Sequence, residues 1–338
     1  MIKRHTGINC CILFIISLTL FACTPWERKP FYEADISSIP AQNIEIYRYE
    51  ELLFTANPFI LKDEIEPHIK RFEFFLGDEI YNPEALLQLY NYVTDPYLID
   101  LYHDSRELWA DTDKLASDLS RAFRFYEYHF PESDIPAIYT YISGLDYTMP
   151  IMYAEGHLII AVDTYLGSDY PAYEQIGIPR YMSQWMIPER TIVDIFHSMA
   201  DRYFRRLTHA PETLLDHMIY EGKRLYFLDC MLPALPDSLK IAYSTNQDNW
   251  MKRNAGFVWS YKLENDLLFS TDHSVIQKFI REAPFTATFS RQSAPRTGIW
   301  LGWQIVRDYM KRNPETSLEE LIMLTDSHRI LTGARFRP

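Results

Sequence analysis

From Ile44 onward apolar residues recur at three- and four-residue steps over most of the chain, which predicts a mostly helical protein. Tyr47 to Phe54, Ile60 to Leu76, Pro83 to Tyr92, Pro96 to Tyr102 and Asp111 to Phe130 each carry that period, punctuated by Pro58, Gly77-Asp78, Pro83 and Pro96. The period then changes. Ala137 to Ser143 is β-branched and aromatic, and Pro150 to Tyr153 and Leu158 to Val162 flank Glu155-Gly156, so a small sheet containing a hairpin is expected. Tyr165 to Pro188, broken by Gly167, Pro171, Gly177 and Pro179, reads as a long ordered loop pinned to the body by Tyr165, Tyr170, Tyr173 and Tyr181.

Two amphipathic helices follow. Ile192, Ile195, Phe196, Met199, Ala200, Tyr203 and Phe204 line one face of the first; Pro211 and Glu212 open the second, with Leu214, Leu215, Met218, Ile219, Gly222, Leu225 and Tyr226 as its buried stripe. Met231 to Pro236 is a break. Helical pattern resumes at Ser238 and continues through Gln247 to Arg253, Val258 to Leu268 and Thr271 to Ala283, with Asp272 near the start of the last. Pro284 to Arg296 reads as a loop, and Thr297 to Lys311 as a strong helix whose Gly298 and Gly302 let another backbone approach closely. Ser317-Leu318-Glu319-Glu320 has capping-box spacing and opens a final helix. The expected fold class is α+β, mostly helical, with a helical region at 44–130 and a second region at 131–338 that carries the sheet.

The N-terminus has a separate logic. Lys3, Arg4 and His5 precede a short apolar run from Ile8 to Leu20, and Leu20-Phe21-Ala22-Cys23 resembles a bacterial lipobox. Residues 1–22 then read as a lipoprotein signal peptide, Cys23 as the lipidated residue and 23–43 as a polar, proline-punctuated tether. The alternative, an uncleaved membrane anchor, is disfavoured because the run falls short of the roughly 20 residues that span a bilayer. Either reading places the body in the cell envelope. Thr24-Pro25-Trp26 stands where acidic sorting residues would follow Cys23, which favours the periplasmic face of the outer membrane.

Cysteine count and charge narrow the classes. Cys10 and Cys11 leave with the signal and Cys23 carries lipid, so Cys230 alone remains and neither an internal disulfide nor a cysteine zinc site can form. Removing Lys3 and Arg4 from the 33 basic residues leaves 31 against 46 acidic, a charge of about −15, which excludes nucleic acid as an expected partner. With 11 Gly in the chain a glycine-rich nucleotide site is not expected, and no cofactor signature appears.

Candidate chemistry sits on the two amphipathic helices. His197 and Asp201 stand one turn apart on the first, and Glu221 lies on the second beside Met218 and Leu225. Zinc peptidases of one large class place two histidines at this spacing, a glutamate base beside the first, and a third ligand on the next helix. Here Ser198 stands at the base position and cannot take a proton from water, and Asp201 replaces an imidazole with a carboxylate. The structural alternative is a boundary histidine satisfied by a neighbour, with His217 and Glu221 as an ordinary i,i+4 pair.

Four further blocks carry a resemblance: Asp163 to Tyr170 (DTYLGSDY), Glu221 to Phe227 (EGKRLYF), Pro284-Phe285-Thr286, and Gly298 to Val306 (GIWLGWQIV). In this order they resemble the gliding motility-associated lipoprotein family usually called GldB. That family is in turn similar to predicted zinc peptidases with HExxH and a downstream EG motif. The resemblance implies a zincin (gluzincin)-like domain over 131–338, in which His197, Ser198, Asp201 and Glu221 are the degenerate metal-site positions. It also implies a lipid-anchored, non-catalytic envelope protein, accessory to gliding or secretion machinery, held at the membrane by its lipid and in contact with other envelope proteins. Two other classes stay open. One is a metallohydrolase using His197, Asp201 and Glu221, with Asp194, Asp216 or His217 as base; the other is a periplasmic protein that holds a peptide or glycan in the old cleft.

Overall fold

A mixed four-stranded sheet joins the two halves of the chain. β1 (Ile46–Arg48), β2 (Ala137–Tyr141), β3 (Ile151–Ala154) and β4 (His157–Ala161) lie in the order β1-β2-β4-β3 in this computed structural model, which describes residues 30–338 except 208–209 and the side chains of 78 and 79. β1 runs parallel to β2 with Tyr47 opposite Tyr139, β2 parallel to β4 with Tyr139 opposite Ile159, and β3 antiparallel to β4 with Met152 opposite Ile159. The expected hairpin is β3–β4. Glu155 and Gly156 both have positive φ, 50° and 80°, the backbone that a two-residue turn needs to match strand twist. β1, three residues long, carries no alternation by which sequence could reveal it.

The N-terminal helices are α1 (Tyr49–Thr55), α2 (Leu61–Ile65), α3 (Glu73–Leu76), α4 (Pro83–Thr94), α5 (Pro96–Leu108) and α6 (Asp113–His129). The helix expected from Ile60 to Leu76 is instead broken into α2, a 3₁₀ turn over Glu66–His68 and α3, because Pro67 lacks the N–H that would continue it. Pro83 and Pro96 occupy first helical turns, where that donor is not missed; Asn82 caps Glu84 N, and Asp95 caps Tyr97 N and Leu98 N. Alternate residues of β2 divide between two cores. Tyr139 joins Tyr49, Leu53, Phe72 and Leu76 on one face, while Ile138 joins Phe123, Leu158, Ile160 and Phe196 on the other. Residues 31–338 form a single compact unit.

The long loop contains two short helices, α7 (Pro171–Gln175) and α8 (Arg180–Ser183), and leads into α9 (Pro188–Phe204) and α10 (Leu214–Met231). α10 starts later than Pro211 suggests. Thr213 is its N-cap, in a capping box with Asp216 that satisfies donors at both residues. Beyond it come α11 (Asp237–Ile241), α12 (Thr245–Glu264), α13 (His273–Ile280), α14 (Thr297–Arg312), α15 (Leu318–Met323) and α16 (Ser327–Ala334). α12 is one helix where two segments were expected, and α16 adds a helix after the Ser317 capping box.

α10 and α14 cross at contact distance. A Cβ built on Gly302 would lie 1.8 Å from the Met218 carbonyl oxygen, and one on Gly222 would lie 2.4 Å from the Gly302 carbonyl carbon. Beside this crossing Asp229, fully buried, binds Lys240 Nζ at 2.9 Å, Arg307 Nε and Nη2 at 2.7 Å each, and Trp303 Nε1 at 2.8 Å. Arg307 also forks onto Asp237 at 2.7 and 2.8 Å, so both buried cations are neutralised and α10, α11 and α14 are tied together.

Part of the expected tether is structured. Phe31 stacks on Tyr226, the Tyr32 ring lies 5.4 Å from both Lys240 Nζ and the Arg307 guanidinium, and Arg124 donates to the Ile36 and Ile39 carbonyls at 2.5 and 2.7 Å. From Phe31 onward the segment is therefore a strap along the body rather than a free linker. The signal peptide and Cys23 lie outside the described residues. Among the described residues no helix is long and apolar enough to cross a membrane.

Candidate functional site on α9 and α10

α9 buries Ile192, Ile195, Phe196 and Met199 in the core and leaves His197, Ser198 and Asp201 half-buried on its margin. Glu221 reaches the same margin from α10, and between the carboxylates lies Arg224. Its Nη2 is 2.6 Å from Asp201 Oδ1 and its Nη1 is 3.7 Å from Glu221 Oε1. The helical spacing of Glu221 and Arg224 puts both on one side of α10, so the pair forms locally and Asp201 completes it across the helix interface. No hydrogen bond joins His217 to Glu221 among the described residues, and the expected i,i+4 pairing gives way to the guanidinium.

His197 has a different partner. Its ring hydrogen-bonds to the Lys240 carbonyl, and its pKa is driven well below the usual value, first by burial and then by Arg190, Arg224 and Arg296. Arg190 Nη1 donates to the Leu239 carbonyl and, at 3.2 Å, to that of Lys240, while Arg296 Nη2 donates to the Ile241 carbonyl. Three consecutive carbonyls at the end of α11 thus accept from Arg190, His197 and Arg296, with Ala242 N at the helix end also donating to that of Leu239 at 3.4 Å. Glu221 is raised above the usual carboxylate range by burial and by Asp201, against the pull of Arg224 and Arg296.

Two of the three residues considered as bases, Asp194 and Asp216, are committed elsewhere. Asp194 accepts from Arg190 Nε at 2.8 Å and from the Tyr165 hydroxyl at 3.1 Å. Asp216 serves the capping box; burial pushes its pKa up, but hydrogen bonds from Thr213 outweigh that and hold it below the usual value. His217 is lowered by burial, with Asp216 opposing. No three His, Cys, Asp or Glu side chains converge as a metal-holding group among the described residues. His197, Asp201 and Glu221 do not fit a dication as they stand, because Arg224 already places a cation against both carboxylates.

Next to this cluster, one turn up α9, is a cavity of about 150 Å³. Tyr147, Tyr181, Trp185 and Met186 line it, and the paired Arg190 and Asp194 supply a polar border. Of the loop tyrosines, Tyr165, Tyr170 and Tyr173 pin the loop by hydrogen bonds to Asp194, Asp104 and the Asp163 carbonyl, whereas Tyr181 faces the cavity.

Most blocks that carried the resemblance build the fold. Asp163, buried, accepts from Ser143 N at 2.9 Å and Leu145 N at 2.7 Å and so holds the turn after β2; Thr286 closes the 284–296 loop onto the Ala294 carbonyl at 2.8 Å. Gly222 and Gly302 make the helix crossing, and Trp303 binds Asp229. Arg224, in the EGKR stretch, is the site residue that sequence reasoning passed over, although its i,i+3 spacing from Glu221 was a usable signal. No curated protein and no solved structure matches the chain. The model of the family described as gliding motility protein GldB matches residues 30–338, which spans the sheet, the α9/α10 face and the α10–α14 crossing. The chain belongs to the gliding motility protein GldB family.

Proposed function

We propose that this GldB-family protein is a lipid-anchored, non-catalytic component of the cell envelope, held through Cys23 at the periplasmic face of the outer membrane and accessory to gliding or secretion machinery. Its α+β body is a zincin-like arrangement in which an arginine has taken the metal's place. The observation that carries this reading is the Arg224 guanidinium between Asp201 and Glu221. Supporting it are the order of elements, strands before the two helices, and the antiparallel edge strand β3 packed beside α9. Ser198 at the base position, and Asp194 and Asp216 already engaged, weigh against a group poised to deprotonate a water.

Elemental analysis of the purified protein, beside His197→Ala and Glu221→Ala variants, tests it. The expected result is substoichiometric zinc in all three and no zinc-dependent peptide hydrolysis. Stoichiometric zinc that disappears in both variants, together with hydrolysis by the wild type, would restore the metallohydrolase reading. The aromatic cavity beside the cluster favours a second reading, a protein that holds a peptide or glycan without cutting it. Mass spectrometry of small molecules extracted from the purified protein distinguishes the two. A species retained by the wild type and lost in Trp185→Ala supports the second.

A further inference from the structure

On the sheet face covered by the N-terminal helices, a groove of about 490 Å³ opens between α3 and α4. Phe75, Leu76 and Ile80 form one wall, and Leu86, Leu89 and Tyr92 form the other. α4 spans 12 residues, yet Val93 is the only one fully buried, so most of its apolar surface faces the groove or water. Its outward side adds to the patch. α4 touches the turns that carry Phe59 and Tyr81, and Phe59 is 87% and Leu87 58% exposed. Leucines and aromatics gathered this way on a surface helix mark a docking surface rather than a solvated face.

Charge around the groove selects the occupant. From Lys62 to Glu84 the chain has seven acidic residues against three basic ones. Two of the three basic residues are engaged locally: Arg71 faces Glu45 at 3.4 Å, and Lys62 lies over the Tyr81 ring. Asp63, Glu73 and Glu84 are exposed and hold no ion pair among the described residues. We propose that this groove docks an amphipathic helical segment of another envelope protein, apolar at i, i+3 or i+4, and i+7, and flanked by lysine or arginine. A second copy of this chain would bring the same acidic rim against itself, and an anionic bilayer would meet it with like charge, so a basic partner is the complementary one. The groove is remote in sequence from the Arg224 cluster, and its test stands apart from that of the catalytic question.

The test uses full-length protein in neutral phosphatidylcholine nanodiscs, with empty discs subtracting lipid binding. A labelled amphipathic leucine–lysine peptide is titrated beside a leucine–glutamate peptide of the same pattern. Saturable binding of the lysine peptide alone is expected. It should weaken at least tenfold in a Leu86→Ser/Leu89→Ser variant, and severalfold with a flatter salt dependence in Glu73→Gln/Glu84→Gln. Should the leucine pair be needed for folding, Leu87→Ser, at an exposed position, carries the apolar arm with a smaller expected loss. Equal binding of both peptides, or unchanged binding in well-folded variants, overturns the proposal. So does a concentration-dependent dimer that Leu87→Ser abolishes, which would make the groove a contact between copies.

Discussion

At the α9/α10 margin one guanidinium, 2.6 Å from Asp201 and 3.7 Å from Glu221, sets its charge against two carboxylates. Another cation, the buried Lys262, has no such partners among the described residues. Its side chain is fully buried, Nζ makes no hydrogen bond among the described residues, and it lies 4.1 Å from the centre of the Phe279 ring. Burial pulls its pKa down to about 7. Between that value and 10.5 the unfolded chain holds the extra proton, so stability rises with pH across this window and the cost is fully present below 7. The ring face returns part of that cost by attracting the charge. Lys262→Met is therefore expected to be more stable than the wild type at pH 6 by about 2 kcal/mol, with the gap narrowing as pH rises above 7. Urea midpoints of both proteins across that range check it; a gap that widens with pH would contradict the assignment.

Among the elements, the α10–α14 crossing depends most on single atoms. Gly222→Ala and Gly302→Ala each push a methyl into backbone, which cannot yield as a side-chain tip can, so losses of about 3 kcal/mol or more are expected. Gly256→Ala on α12 is the control. Its Cβ would meet nothing closer than the Pro338 carbonyl oxygen at 3.7 Å, and helix propensity predicts a gain of roughly 0.5–1 kcal/mol. Denaturation midpoints with unchanged m-values would show both directions. Gly302 was legible as a close-approach position from its place in an apolar helix, but its counterpart Gly222 was not. Helix period locates a face and says nothing of which face it meets. The same limit hid Asp229: a carboxylate inside YFLDCML signals a buried charge, while its partners Lys240 and Arg307 come from two other helices.

For the whole molecule, the strap from Phe31 closes over the buried charge network. Burial and the nearby Asp229 carboxylate push the Tyr32 phenol up to about 12, as expected of a ring held against the body. Tyr32→Ala removes one ring from two cations and should lower stability by about 1 kcal/mol, with faster limited proteolysis within 31–43. An unchanged cleavage rate would mean that Phe31 on Tyr226 and the Arg124 hydrogen bonds hold the strap without this ring.

Local chemistry was enough to foretell the helical class, the β3–β4 hairpin, the Ser317 capping box and Asp272 as a helix start, because period, turn geometry and capping act within a few residues and are written contiguously; the family came instead from the resemblance of four sequence blocks. It also placed His197 and Asp201 on the margin of one helix and Glu221 on the next, and of these the two carboxylates share Arg224. Folding alone decided what those residues do. Arg224 enters between the carboxylates, the Lys240 carbonyl of α11 claims His197, and β1 pairs with β2, whose residues Ile138–Thr140 lie far along the chain, since long-range pairing is set by packing and charge compensation that no stretch of chain contains.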